Sequence, residues 1–153
     1  MAFTFRDRDR GYARLQEAFA SMPRRTLTVG IHADEGAAAH ANGKLSVAEI
    51  GTVHEFGVPG KTPQRSFVRG WFDKSQKPIA DLMRRAAQGV KSGKNSVDKA
   101  LSLVGMRFVG DIQKRIASNI PPALKQSTID RKGSSVALID SGQLRSSIGF
   151  QVR

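Results

Sequence analysis

Only two stretches of this chain alternate apolar and polar side chains over several residues, and they lie far apart, at 26–32 and 148–152. In the first, Leu27, Val29 and Ile31 face one way and Thr26, Thr28 and Gly30 the other. In the second, Ile148, Phe150 and Val152 alternate with Ser147, Gly149 and Gln151. A strand on its own leaves its backbone groups to water and its apolar side uncovered. The two are therefore expected to pair with each other, closing the chain on itself. Its 153 residues suit one domain, read as 1–153.

The rest of the pattern is helical. Residues 6–22 place Tyr12, Leu15, Phe19 and Met22 on one face, and Pro23 ends that helix, so 1–25 reads as an N-terminal helical segment. Residues 33–44 have no apolar period and read as a mobile loop or hairpin tip. Ser46-Val47-Ala48-Glu49 is a capping box, with Leu45 placed to staple onto Ile50. Ile50, Val53 and Phe56 are then expected in the core, with Gly57 closing the helix. From Ser66 an apolar stripe runs through Val68, Trp71, Phe72, Ile79, Leu82, Met83, Ala86 and Val90, with a kink or division expected at Pro78. A second helix starts at Val97 and continues through Ile116 to Pro121-Pro122; its Gly105 and Gly110 read as sites of close helix approach. A single turn is expected at 128–132, closed by Gly133. Asp140 then reads as an Asx-type cap for a short turn that contains Gly142 and positions Leu144.

Pro59 and Pro63 each fix φ and remove a backbone donor, so 57–66 is expected to project as an extended arm. Stiff segments lose little entropy on docking. Val58, Pro59, Lys61, Pro63, Arg65, Phe67 and Arg69 are accordingly the candidate contacts to another subunit or partner, with the first of these and Pro59, Pro63, Arg65 and Phe67 forming a hook.

Charge is distributed unequally. The chain carries 25 Lys and Arg against 13 Asp and Glu, a net +12. Residues 1–56 hold 7 of each sign, so the whole excess falls in 57–153. Such a field implies an anionic neighbour, whether nucleic acid, an acidic protein surface or a membrane face. No apolar run approaches the roughly 20 residues that span a bilayer, and no signal-peptide pattern opens the sequence; a protein kept in a cytosol-like compartment, without a membrane partner, is expected.

Little in the sequence points to chemistry. The absence of cysteine removes disulfides, thiolate nucleophiles and Cys-ligated metals. His32, His40 and His54 lack the spacing of a zinc helix, and His54-Glu55 lacks the second histidine of HExxH. Asp140-Ser141 has no glycine-framed nucleophile elbow, and no phosphate-binding or dinucleotide fingerprint occurs. No catalytic residue, metal or cofactor is expected. A basic nucleic-acid-binding module is the alternative: Arg65, Arg69, Lys74, Lys77, Arg84, Arg85, Lys91 and Lys94 form a basic run, although no known recognition motif accompanies it.

The succession VGI (29–31), SVAEIGTVHEFG (46–57), PQRSFVR (63–69), STIDRKGS (127–134) and LIDSGQLRSSIGFQV (138–152) resembles small virion-morphogenesis proteins of tailed bacteriophages: the neck, tail-completion and head–tail joining proteins. The "EFG…P-x-R-S-F" and "D-S-G-x-L-R-x-S-I" blocks are the most specific parts. The resemblance implies an α+β fold, with a small, mainly antiparallel sheet and helices packed on one face. It implies a structural, non-enzymatic protein at the head–tail junction, assembled in the host bacterial cytoplasm as a six-fold or twelve-fold homomeric ring. Expected partners are connector or head-closure proteins and tail-terminator or tail-tube proteins, with nonspecific contact to genomic DNA. In some joining families the TG-L-R block precedes the EFG block, so neck, tail-completion ring and tail terminator all stay open as stations.

Overall fold

The computed structural model describes residues 24–37 and 45–153. The two alternating segments are strands β1 (Leu27–Ile31) and β2 (Ile148–Val152). They pair antiparallel in the register Leu27↔Val152 to Ile31↔Ile148. Thr26 and Arg153 extend the ladder with reciprocal bonds of 2.8 and 3.0 Å. Between the strands come α1 (Ala33–Gly36), α2 (Val47–Phe56), α3 (Arg69–Lys74), α4 (Gln76–Lys91), α5 (Val97–Ala117), α6 (Gln126–Lys132) and α7 (Gln143–Ser146). This is a small α+β fold, as expected.

The long helix α5 lies against the apolar face of the sheet. Its N-terminus is capped by Ser96, whose hydroxyl accepts the Lys99 amide at 3.2 Å. Ile112 and Ile116, one turn apart, are completely buried. They share a core with Val47, Phe67, Ile120, Leu138, Leu144 and Ile148. Gly105 is the point of closest approach: a Cβ there would sit 2.5 Å from the Phe150 ring and 3.0 Å from Leu27. Gly110 has no such role, since a Cβ at that position meets nothing within 4 Å.

Three boundaries differ from expectation, each for a physical reason. The stripe after Ser66 divides at Ser75, three residues before Pro78. A proline inside a helix removes one N–H and crowds the carbonyl four residues back, so it is accommodated in the first turn of α4. In α2 the buried residues are Val47, Gly51 and Glu55, while Phe56 is 63% exposed. The helix is turned so that Gly51 faces Ile31 and Leu144 and Glu55 reaches α3; Ile50 and Val53 border a cleft instead of the core. Finally, Ala33–Gly36 forms one helical turn within the segment read as a loop. The rest of that loop from 38 to 44, and the helix expected at 6–22, lie outside the described residues.

Candidate functional site

The 57–66 segment is a closed hairpin, not an extended arm. Val58 and Thr62 bridge through bonds of 2.8 and 2.9 Å, and the Lys61 amide donates to the Val58 carbonyl at 3.0 Å. Pro59 and Gly60 occupy the two central positions of that turn, with Gly60 at φ 71°. Proline followed by a positive-φ glycine is the type II turn preference. The hairpin base is fastened to α2, where the Arg65 amide donates to the His54 carbonyl at 2.8 Å and the Gln64 side chain donates to the Glu55 carbonyl at 3.1 Å.

Glu55 holds the two halves of the EFG…P-x-R-S-F block together. Its carboxylate is buried and accepts the Ser66 hydroxyl at 2.5 Å and the amides of Phe67, Val68 and Arg69 at 2.8, 3.0 and 2.9 Å. Ser66 in turn accepts the Gly70 amide at 3.0 Å. These amides belong to the entry of α3, where a helix start leaves donors without intrahelical partners. Burial by itself would raise the Glu55 carboxyl; the bonds from Ser66, Val68, Arg69 and Phe67 outweigh it and hold the group below the ordinary range. Every lone-pair direction is engaged, so Glu55 is a structural clamp with no capacity left for acid–base work.

Two arginines complete the frame. Arg65 donates from Nε and Nη2 to the Pro122 carbonyl at 3.2 and 2.7 Å, and Arg115 donates from the same two atoms to the Ser66 carbonyl at 3.1 Å each. Arg65 is 4% exposed and Phe67 2% exposed. Both side chains are held within the fold and do not project, which corrects their place in the expected hook; Arg65 borders the cleft beside the hairpin. Pro59, Lys61, Pro63 and Arg69 are exposed and Val58 is half-buried; the guanidinium of Arg69 lies 5.6 Å over the Phe56 ring.

Beside the hairpin lies a cleft of about 1070 Å³. Lys61, Pro63 and Arg65 line one side, Thr128, Arg131 and Lys132 a second, and Asp140, Gly142 and Leu144 a third. Its described lining holds five lysines and arginines against one aspartate, and no Phe, Tyr or Trp. Burial lowers the Lys132 ammonium, Asp140 opposes that shift, and Arg65 adds to it. The His54 imidazole is lowered by burial, then by Arg65 and Lys132. Its Nδ1 is buried with no hydrogen-bond partner among the described residues. Five cations against one aspartate give the described lining of the cleft a net positive charge.

The remaining sequence candidates resolve as follows. The capping box is present: Ser46 and Glu49 exchange bonds of 2.8 and 3.3 Å, and the C-cap of α2 is Gly57. The bonds from Ser46 hold the Glu49 carboxyl low. The N-cap position of α7 falls two residues after Asp140. Gly142 takes the N-cap position at φ 82°, and the Ser141 hydroxyl accepts the Gln143 amide at 3.4 Å, while Leu144 is buried in the core. Sequence reasoning missed Glu55 as a clamp and Val58–Lys61 as a turn; the Pro-Gly pair was a signal for the second. Among the described residues no three His, Asp or Glu side chains are grouped to hold a metal ion, and no helix is long and apolar enough to cross a membrane. Against known proteins, no family model, no curated protein and no solved structure matches the chain.

Proposed function

We propose that this chain is a structural, non-catalytic subunit of the head–tail connection of a tailed phage, working as a homomeric ring in the neck or tail-completion position and located in the virion. One observation carries the reading: three regions among those behind the resemblance border a single cleft. The EFG…P-x-R-S-F block contributes Lys61 and Arg65, the STIDRKGS block Arg131 and Lys132, and the DSGQLRSSI block Asp140 and Leu144. Segments lying on either side of some sixty residues of sequence thus build one positive surface beside a hairpin whose tip, Pro59–Lys61, stands exposed on a fastened base.

A ring subunit needs one projecting element and one receiving surface, joined head to tail around a closed rotation. The exposed tip offers a projecting element, and the positive lining of the cleft beside it favours an acidic partner in the adjoining ring or the DNA of the lumen. The absence of Phe, Tyr and Trp from the cleft's described lining argues against single-stranded nucleic acid stacked in it. Negative-stain imaging and light scattering of the purified protein, alone and mixed with tail tubes, test the proposal. Closed rings in solution or at tube ends are expected; a protein that stays monomeric and never decorates a tube end overturns it.

A further inference from the structure

Leu27, Phe56, Trp71, Phe72, Ile79 and Phe108 line a second groove, of about 490 Å³, which shares none of the cleft's lining residues. Phe56 and Phe72 are 63% and 48% exposed. Of the polar groups that border it, the Glu55 carboxylate is committed to its four donors and the Arg69 guanidinium stacks on the Phe56 ring. The rest of the lining is aliphatic and aromatic, so an occupant that fills the groove needs an apolar surface long enough to cover several aromatic rings at once.

The chain carries such a surface. Tyr12, Leu15, Phe19 and Met22 recur at helical spacing within 6–22. The tether is short. Leu27 belongs to the groove wall and follows Met22 by five residues, a span of at most about 17 Å. Arg25 pairs with Asp98 at 2.9 Å. Tethering at that range gives an effective concentration of order millimolar. We propose that the N-terminal segment 6–22 docks its apolar stripe into this groove of its own chain, with Phe19 and Leu15 against Phe72 and Trp71. The proposal stands independently of the ring function.

Trp71 is the single tryptophan of the chain and sits in the groove, so its fluorescence reads occupancy directly. In the full chain, Leu15→Glu and Phe19→Glu should each shift Trp71 emission to the red and raise its acrylamide quenching. Unchanged emission and quenching in both variants overturn the docking. The native chain has no cysteine, which permits a second test that does not depend on how those variants fold. Phe19→Cys combined with Phe72→Cys should form an intramolecular disulfide on mild oxidation, whereas Phe19→Cys with Leu103→Cys, on the exposed side of α5, should not. A disulfide that forms only between two copies shows a neighbour's segment in the groove and overturns own-chain docking, as does the absence of any bond.

Discussion

The Arg69 amide donates to the Glu55 carboxylate at 2.9 Å across a separation of fourteen residues, and the whole hairpin is contained between those two groups. Removing the carboxylate leaves three backbone amides at the start of α3 without their acceptor. Glu55→Ala should lower stability by about 3 kcal/mol or more, since each buried donor left unpaired costs about 1–3 kcal/mol. Glu55→Gln, which keeps one acceptor oxygen, should lose less. Urea denaturation of both variants measures the difference, and equal losses would contradict the clamp.

Acid should act through the same group and through His54. Both are held below their ordinary values, near 4.5 and 6.5, so the unfolded chain binds their protons more readily than the folded one. The stability each contributes is complete above its unfolded value and is lost as pH falls toward the folded one. Stability should therefore decline first below pH 6.5 and more steeply below 4.5. His54→Phe should flatten the first part and Glu55→Gln the second. Denaturation midpoints measured from pH 7 to pH 3 resolve the two.

Arg65 faces His54 and Lys132 while bonding the Pro122 carbonyl. Arg65→Met should destabilise the protein by about 2 kcal/mol through the lost charged hydrogen bond. It should also move the His54 titration upward, because one of the cations that depresses it is gone. Proton NMR of the His54 ring across pH 5–8 shows whether it moves.

The two glycines of α5 should respond in opposite directions. Gly105→Ala drives a methyl into the Phe150 ring and should cost about 1–3 kcal/mol of packing strain. Gly110→Ala meets open space and should stabilise the helix by up to about 1 kcal/mol. Thermal melts of the pair, compared with the parent chain, decide it.

Pro59→Asp with Lys61→Glu changes the exposed hairpin tip and one cation of the cleft beside it. Releasing the φ that Pro59 fixes in the turn should cost about 0.4–1 kcal/mol and leave the fold intact. Under the proposed function, ring formation should disappear. Circular dichroism melts paired with negative-stain fields of the same sample read both quantities.

Much of the frame was legible in the sequence wherever a signal is local. The alternation of 27–31 and 148–152 identified both strands and their partner, and Ser46-x-x-Glu49 marked the start of α2. What escaped was whatever depends on a distant group. Phe56 looks like a core residue by spacing, yet α2 is rotated by the need to bring Glu55 to the amides of 67–69. Arg65 looks like a solvent-facing cation, yet a carbonyl fifty-seven residues later takes it inside. The cleft was invisible for the same reason, since its three walls come from three separate segments. Prolines at 59 and 63 suggest stiffness by composition, whereas the glycine after Pro59 turns the chain back on itself.

The pairing of β1 with β2 also governs the timing of folding. Roughly 115 residues lie between Ile31 and Ile148, and a ribosome adds about 5–20 residues per second. For something like 6 to 23 seconds after β1 is made, its partner has yet to be translated. During that interval the strand's unpaired edge and apolar side are open to other nascent chains or to a chaperone. High contact order of this kind slows folding, and polysome crowding during rapid expression is the condition in which it would be felt first.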